Sequence, residues 1–301
     1  MSEAITPHRV LLAGATGDLG GRIARELRKR HAPVTAIVRR GTAVDRIARL
    51  RTLGADIVEL DLDSVTEVSA ACTGAICVVS ALNGLSETIV GTQSVLLEAA
   101  IAAGVPRFIP SDFSLDFTRT PSGSNRNMDL RREFKAHLDR APIRATSILN
   151  GAFADMLTGQ APFILFGLRR VLHWGDVDQP IDFTTMDDVA AFTAATALDP
   201  STPRILRIAG EQTSPRGLAE AASDVIGQPF KPLRAGSIGI LQLLIKVVRA
   251  MAPGKGQVFP PWQGMQYMRD MYSGDGKLTP LDNDRYPDLH WTSIRAVLAS
   301  R

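Results

Sequence analysis

Short, continuously apolar segments alternate with segments of helical periodicity over the first 110 residues of the chain. The helical segments lie at 22–30, 44–53, 65–72 and 88–103, and the strand-sized apolar runs lie at 8–13, 34–38, 56–60, 75–80 and 107–110. Strands that are buried on both faces show no polar alternation, so this pattern predicts a parallel sheet covered by helices on both sides. Right-handed crossovers between such strands give a doubly wound α/β fold.

The second half of the chain is less regular. Helices are predicted there at 128–140, 189–197, 217–226 and 236–252, and strands at 143–149 and 204–208. We therefore expect the doubly wound sheet to occupy residues 1–153, with later elements near 181–208 returning to it. A smaller C-terminal lobe is expected in residues 154–301, mostly in 209–301.

The composition excludes several classes of protein. Of 301 residues, 45% are hydrophobic and 22% are charged, which is typical of a globular chain and not of a disordered one. The formal charge of +3 is too small to indicate binding of nucleic acid. The two cysteines, Cys72 and Cys77, fit neither a disulfide framework nor a zinc motif, and the five histidines are scattered. We expect no metal site.

Two segments bear on where the protein resides. Residues 1–10, MSEAITPHRV, include Glu3 and lack the apolar run of a signal peptide. The apolar segment 236–252 contains Lys246 and Arg249 and is shorter than the roughly 20 residues that a membrane span needs. We therefore expect a soluble, cytoplasmic protein. Four interpretations of the 236–252 helix are open. It packs into the core, lines an apolar cleft, forms the contact of a homodimer, or rests on a membrane surface.

A glycine motif stands between the first predicted strand and the first predicted helix. Its sequence, Gly14-Ala-Thr-Gly17-Asp-Leu-Gly20, has G-x-x-G-x-x-G spacing. Glycines permit a tight turn and let backbone N–H groups approach a pyrophosphate, which the positive end of the helix stabilises. The motif predicts a dinucleotide site formed by Gly14, Thr16, Gly17, Asp18, Leu19 and Gly20, with the Asp18 carboxylate turned away from the phosphates. A plain glycine turn is the alternative.

The end of the second predicted strand indicates which dinucleotide this would be. Sites for NAD have an acidic residue about 20 positions past the glycines, where it binds the ribose hydroxyls. This chain has Arg39 and Arg40 there instead. Two guanidinium groups complement a 2′-phosphate, and no carboxylate repels it, so NADP(H) is the predicted cofactor. A pair of solvated arginines is the alternative.

Residues that follow the other strands are further candidates, because ligands of open α/β sheets bind at the carboxyl ends of the strands. Asp61 and Leu62 follow the third strand, where an adenine ring would lie, and Asp61 either accepts from the adenine amine or forms a turn. The cofactor candidates after the fourth and fifth strands are Ser80, Ala81, Leu82 and Pro110. Ser111 either polarises a carbonyl or caps a turn.

Four segments together resemble the NmrA-like branch of the short-chain dehydrogenase/reductase superfamily. They are the glycine motif, the Val38-Arg39-Arg40 sequence, Arg107-Phe-Ile-Pro-Ser-Asp-Phe113 and Thr146-Ser-Ile-Leu-Asn150-Gly-Ala-Phe153. The branch includes isoflavone-reductase-like enzymes and the regulator NmrA, and the resemblance runs from about Val10 to Leu198. It implies a Rossmann architecture that binds NADP(H) and a smaller lobe that binds the substrate. It also implies that Asn150 and Phe153 wall the pocket; a turn with a core phenylalanine is the alternative.

The usual catalytic acid of that superfamily is missing from this chain. Ordinary members use a Tyr-x-x-x-Lys pair, and none of the three tyrosines here has a lysine four residues later. Isoflavone-reductase-like enzymes carry a lysine on the helix after the fifth strand, and the resemblance puts Arg131 at that position and Lys135 one turn later. Arginine stays protonated, so it stabilises an oxyanion but is a poor proton donor. The catalytic candidates are Lys135, Arg131 and Ser111, with a surface lysine and a salt-bridged arginine as the alternatives.

The resemblance implies one of two functions. The first is an NADPH-dependent reductase that transfers a hydride to a small apolar, aromatic or conjugated carbonyl, enone or quinone. The second is a non-catalytic NADP(H)-binding redox sensor that binds a protein partner, as NmrA-type regulators do. We favour the reductase because the second half of the chain is rich in apolar residues that suit a small-molecule pocket.

Overall fold

The structure is a computed structural model that describes residues 9–159 and 161–301. The expectation about a signal peptide therefore falls mainly on residues outside the described part. The first predicted strand, at 8–13, also includes one such residue, and in the structure the strand begins at Val10. Within 9–159 and 161–301, no helix is long and apolar enough to cross a membrane.

Six parallel strands form the central sheet. They are β1 Val10–Ala13, β2 Val34–Arg39, β3 Asp56–Leu60, β4 Cys77–Ser80, β5 Arg107–Ile109 and β6 Arg144–Ala145. Their order in the sheet is β3-β2-β1-β4-β5-β6. The strand order reverses between β1 and β4, which creates a crevice at the carboxyl ends of these two strands. This sheet confirms the predicted doubly wound α/β fold.

Helices follow the strands in alternation, as the periodicity predicts. They are α1 Asp18–Lys29, α2 Val44–Thr52, α3 Val65–Cys72, α4 Gln93–Ala102, α5 Arg126–Leu138 and α6 Met186–Leu198. A π-helical segment, Glu87–Thr92, forms the start of the predicted helix 88–103. The apolar core includes Leu11, Val78 and Phe108 from the sheet, with Leu96 from α4 and Phe134 from α5.

The remaining strands are short and form small sheets. They are β7 Ser147–Leu149, β8 Ala152–Phe153, β9 Ile164–Leu165, β10 Arg170–Trp174, β11 Ile181–Thr184, β12 Ile205–Arg207, β13 Glu211–Thr213 and β14 Lys231–Gly236. Two three-stranded sheets have the orders β14-β10-β9 and β13-β11-β8, and β7 pairs with β12. The last helices are α7 Pro215–Ile226, α8 Ile238–Met251, α9 Pro261–Ser273 and α10 Ile294–Ala299.

The single strand predicted at 143–149 is wrong, because the chain changes sheets at Thr146. The Thr146 N–H still donates to Phe108 of β5, over 3.0 Å, but the next N–H, of Ser147, donates to Arg204 over 2.9 Å. The Thr146 hydroxyl contacts the hydroxyl of Thr202 and the carbonyl of Pro203, at 2.7 and 2.9 Å. These bonds draw the strand toward the 202–204 segment and divide it into β6 and β7.

The chain divides into two compact units. The first contains the residues up to Asp112, with Leu130–Ile148 and Val189–Leu206, and the second contains Phe113–Asp129, Leu149–Asp188 and Arg207–Arg301. In the first unit, the guanidinium of Arg107 on β5 donates to the carbonyls of Thr196 and Ala197 at the end of α6. The division that the sequence predicts remains a prediction. It has a sheet domain at 1–153, to which elements near 181–208 return, and a smaller lobe at 154–301.

Candidate functional site

The turn between β1 and α1 has room only for glycine at two positions. Gly14 has a φ of +83°, and a Cβ there would lie 2.5 Å from the carbonyl oxygen of Ala81. A Cβ on Gly20, in the first turn of α1, would lie 2.1 Å from the carbonyl oxygen of Gly14. Real Cβ contacts are never this short, so any side chain would force the backbone apart. The turn therefore keeps an open cradle that backbone N–H groups can line.

The start of α1 leaves backbone donors for an anion. The first N–H groups of a helix have no partner within the helix, and here they belong to Asp18, Leu19 and Gly20. Gly17 precedes them as the N-cap and has no side chain to accept from them. The Asp18 carboxylate lies 2.8 Å from Nε of Arg22 on the same helix, and Thr16 is half-buried beside the turn. The positive end of α1 is thus suited to a phosphate group.

The two arginines at the end of β2, Arg39 and Arg40, have different surroundings. Arg40 Nη2 lies 2.7 Å from Oε2 of Glu67 on α3. That Glu67 oxygen also accepts from the N–H of Asp61 over 3.1 Å, and the two hydrogen bonds lower the pKa of Glu67. Arg39 is exposed, and among the described residues its guanidinium has no hydrogen bond or ion pair. The predicted pair of arginines is therefore one available cation and one already neutralised by a carboxylate.

Asp61 forms a turn after β3. Its Oδ1 accepts from the N–H of Asp63 over 3.0 Å, while Leu62 between them is buried. The turn was one of the two expectations for Asp61. Its other carboxylate oxygen has no hydrogen bond within residues 9–159 and 161–301. A ligand group could reach that oxygen from solvent, since Asp61 is exposed.

Several candidates lie at the carboxyl ends of β4 and β5. The Ala81 N–H donates to Ala13 of β1 over 2.9 Å, which holds this end of β4 against the glycine turn. The Ser80 hydroxyl is buried and has no hydrogen-bond partner among the described residues. The Ser111 hydroxyl donates to the carbonyl of Leu82 over 2.5 Å, and Pro110 before it is buried. The Ser111 proton is thus used within the protein in this structure.

Asp112 begins a chain of polar contacts that sequence analysis did not anticipate. Its Oδ2 accepts from the Ser147 hydroxyl over 2.6 Å, and the Ser147 oxygen accepts from Arg204 over 2.7 Å. Nε of Arg204 lies 2.8 Å from Oδ1 of Asp139, and the other Asp139 oxygen accepts from Lys135 on α5. The ammonium of the proposed acid Lys135 is therefore bound by a carboxylate one helical turn away.

The charge of Asp112 is balanced by several cations. The carboxyl is fully buried, and burial raises its pKa, against the opposing effects of the Ser147 hydrogen bond and of the charges on Arg131, Arg204 and Lys135. Arg131 is itself 8% exposed and lies on α5. The positions three and four residues away from it on α5 are not acidic, and its charge acts on Asp112 beyond the end of β5. The buried guanidinium thus lies near the motif that follows β5.

Asn150 and Phe153 belong to the second unit. The Asn150 N–H donates to the carbonyl of Ser114 over 3.0 Å, and its own carbonyl accepts from the Thr184 hydroxyl over 2.7 Å. Its side chain is fully buried, and Oδ1 has no hydrogen-bond partner within the part of the chain that the structure describes. Phe153 ends β8 and is half-buried. The role of both residues in a pocket stays a prediction.

Glu67, Asp139, Ser147 and Arg204 are among the polar residues at this site that sequence reasoning missed. Glu67 is 27 positions from its partner Arg40, and Arg204 is 57 positions from Ser147. No local spacing could reveal such pairs, because they depend on which strands become neighbours. Within 9–159 and 161–301, no cluster of three or more His, Cys, Asp or Glu side chains could hold a metal ion.

Plant reductases are among the proteins that this chain resembles in sequence. Pinoresinol reductase 1 of Arabidopsis thaliana is 32% identical over 212 residues, which is 64% of this chain and 66% of that protein. The isoflavone reductase homolog IRL of Zea mays is 29% identical over 207 residues, 64% of this chain and 65% of that protein. The aligned region thus spans just under two thirds of the length of these relatives.

Solved structures match nearly the whole chain. A crystal structure of isoflavone reductase has a TM-score of 0.81 at 20% identity and covers 97% of this chain and 99% of that one. A complex of leucoanthocyanidin reductase with NADPH from Vitis vinifera has a TM-score of 0.80 at 21% identity, with 97% and 98% covered. These likenesses show the fold. The model of the NmrA-like family matches residues 6–252, and the chain therefore belongs to the NmrA-like family.

Proposed function

We propose that this chain is an NADPH-dependent reductase of small, apolar, aromatic substrates. The observation that carries the proposal is the glycine cradle at the start of α1, where a Cβ on Gly14 or Gly20 would strike backbone. A turn that only had to reverse the chain would not need two glycines pressed this closely against other backbone. Such close packing of glycines is expected where a diphosphate must approach the backbone N–H groups of the turn.

The residues of the first unit fit a dinucleotide along the carboxyl edge of the sheet. The N–H groups of Asp18, Leu19 and Gly20 would hold the diphosphate. Leu62 and the free oxygen of Asp61 would face the adenine. The remaining proposed contacts follow β4 and β5 at Ser80, Ala81, Leu82 and Pro110. Each of these residues lies at or directly after the carboxyl end of its strand, where ligands of this fold class bind.

Arg39 would select NADP(H) over NAD(H). Its exposed guanidinium has no protein partner among the described residues, so a 2′-phosphate does not have to compete with a carboxylate for it. Arg40 is bound by Glu67 and contributes less. A guanidinium that meets a phosphate dianion forms charge-assisted, bidentate hydrogen bonds. The NADPH complex of the Vitis vinifera reductase supports the same cofactor here.

Arg131 is the group that would stabilise charge on the substrate. When bound, NADPH supplies the hydride, and negative charge develops on the acceptor oxygen. Arg131 is buried and lies near enough to Asp112 to lower the pKa of that carboxyl, so the protein holds a cation close to the end of β5 that would stabilise this oxygen. Arginine keeps its proton at neutral pH, so the proton that the acceptor oxygen takes up after hydride transfer would come from solvent. Lys135 is less suited to this role, because Asp139 binds its ammonium.

The substrate class rests on the relatives. Those reported above carry the names pinoresinol reductase and isoflavone reductase homolog, and both named compounds are aromatic. The test is consumption of NADPH with aromatic enones, quinones and benzylic ethers, alongside binding of NADPH measured by fluorescence. We expect turnover with at least one of these classes. Tight NADPH binding with no turnover above a buffer blank across the panel would overturn the reductase proposal.

The second candidate is an NADP(H)-dependent sensor, and one observation favours it. Neither cationic candidate is suited to give up a proton, because Asp139 binds the ammonium of Lys135 and the guanidinium of Arg131 stays protonated. A protein with no proton donor at this position could still bind NADP+ or NADPH, and so respond to the ratio of the two, without reducing a substrate. Capture of a protein partner whose binding differs between NADP+ and NADPH, in a chain that binds both but reduces nothing, would favour the sensor.

A further inference from the structure

Helix α8 has an inner and an outer face. On the inner face, Leu241 and Ile245 are buried, and the guanidinium of Arg249 lies 4.8 Å from the ring centroid of Trp262 on α9. These three α8 residues are spaced by four, so they form one stripe along the helix. The Trp262 ring is itself fixed, since its Nε1 donates to the carbonyl of Pro253 over 3.1 Å. The inner stripe therefore fixes which residues of α8 face outward.

The outer face of α8 is apolar and exposed. Its large apolar residues are between 39% and 81% exposed, and they are Ile240, Leu243, Leu244, Val247 and Met251. Spacings of three and four place them on one stripe. Single exposed apolar residues are common on proteins, whereas a continuous stripe of five marks a surface that binds something apolar.

The segment that contains this stripe carries charge of one sign only. Between Asp224 and Asp270 the sequence has no Asp or Glu. The same stretch has five exposed basic residues, which are Lys231, Arg234, Lys246, Arg249 and Lys255. Lys231 and Arg234 lie on β14, an edge strand that leads into α8. An apolar helix face set in a wholly basic segment is complementary to a surface that is both apolar and anionic.

This charge pattern decides between two occupants. A second copy of the chain docked through α8 in a symmetric dimer would bring the same basic residues of both copies together, which is repulsive. A bilayer that contains acidic lipids offers phosphates and carboxylates to the basic residues and acyl chains to the apolar stripe. A bilayer can also bind a single exposed helix face without any groove, and the outer face of α8 is such a surface. We propose that α8 docks this protein on an anionic lipid bilayer, lying in the plane of the interface.

The experiment is co-sedimentation of the full chain with vesicles. One set contains phosphatidylcholine alone and the other contains phosphatidylcholine with phosphatidylserine. We expect binding to the mixed vesicles, loss of that binding at high salt, and little binding to phosphatidylcholine alone. The variant Leu243→Gln should weaken binding about tenfold. Lys246→Gln and Lys255→Gln should weaken it about fivefold each.

Val44→Gln is the control. Val44 is also a highly exposed apolar residue, but it lies on α2 in the first unit, so its variant should bind vesicles like the wild type. Equal thermal melting of all variants excludes misfolding as the cause. Absence of binding to acidic vesicles, or full binding by Leu243→Gln, would overturn the proposal. So would a Leu243→Gln variant that changes the oligomeric state or the KM but not vesicle binding, since the stripe would then be a subunit contact or line a substrate cleft.

Discussion

Arg40 Nη2 lies 2.7 Å from Oε2 of Glu67, so the arginine that directly follows β2 is already paired with a carboxylate from α3. The same Glu67 oxygen accepts from the N–H of Asp61, which links the ends of β2 and β3. Among the described residues, this leaves the Arg39 guanidinium as the uncompensated cation of the pair. Two adjacent arginines thus have different expected roles, one in ligand binding and one in holding the sheet edge together.

Substitution of the two arginines separates these roles. Arg39→Ala should weaken NADPH binding by about tenfold to a hundredfold, the effect of losing a charge-assisted hydrogen bond, and leave NADH binding nearly unchanged. Arg40→Ala should weaken NADPH binding less, because Glu67 already binds that guanidinium. Titration of both cofactors against both variants measures this. Equal losses of NADPH and NADH affinity in Arg39→Ala would contradict the assignment of the 2′-phosphate.

The glycine cradle offers a matched pair of substitutions. Gly20→Ala places a Cβ 2.1 Å from the Gly14 carbonyl oxygen, so we expect loss of NADPH binding and a clear fall in melting temperature. Gly21→Ala, one position later in α1, has its nearest contact at 3.4 Å and should bind NADPH normally. It should also be stabilised by up to about 1 kcal/mol, because alanine favours a helix. A Gly20→Ala variant that binds NADPH like Gly21→Ala would show that the diphosphate is held elsewhere.

Arg131 and Lys135 can be distinguished as catalytic groups. Arg131→Met should lower kcat by about a hundredfold or more, because it removes the charge that stabilises the substrate oxygen. Lys135→Met removes an ion pair with Asp139 and should change kcat less than about twofold, while lowering stability by less than about 1 kcal/mol. Arg131→Lys keeps a positive charge near Asp112 and should retain part of kcat. A large loss of kcat in Lys135→Met would instead make that lysine the acid, as the sequence left open.

The buried carboxyl of Asp112 predicts a pH dependence of stability. Burial raises its pKa above the value in the unfolded chain, so between the two values the folded state binds more protons than the unfolded state. The free energy of unfolding of the wild type should therefore fall, relative to Asp112→Asn, as the pH rises from about 4 toward the raised pKa. Urea unfolding of both proteins at several pH values tests this. A difference that stays constant with pH would mean that Asp112 does not titrate in this range.

The cysteines should be inert in the folded protein. Burial raises the pKa of Cys72 to about 11 and that of Cys77 to about 12, against opposing charges on Arg9 and Arg107. A thiol reacts as its thiolate, so neither should be alkylated at neutral pH until the chain unfolds. Mass spectrometry after iodoacetamide treatment, with and without urea, measures this. Rapid labelling of native Cys77 would be incompatible with its position in β4.

The central sheet could be predicted from the sequence because its strands are continuously apolar and its helices are amphipathic. The strand at 56–60 and the helix at 65–72 agree with the structure at both ends. The small sheets could not be predicted, since strands such as Ile164–Leu165 have two residues and no period. The strand at 143–149 looked continuous, but the side-chain bonds of Thr146 to a segment 56 positions away divide it. Site residues on strand ends could be named in advance, whereas Glu67 and Arg204 depend on long-range pairing.

The hydrogen bonds of Arg107 have a consequence for any attempt to shorten the protein. A fragment that stopped at residue 153 would keep β5 and its guanidinium but lose the α6 carbonyls of Thr196 and Ala197 that accept from it. The fragment would also lose the rest of 189–206, which belongs to the same compact unit, so surface that is buried in the whole chain would be exposed and we expect the fragment to aggregate. The first unit would have to be isolated by joining its three separated segments, because no single cut in the chain releases it.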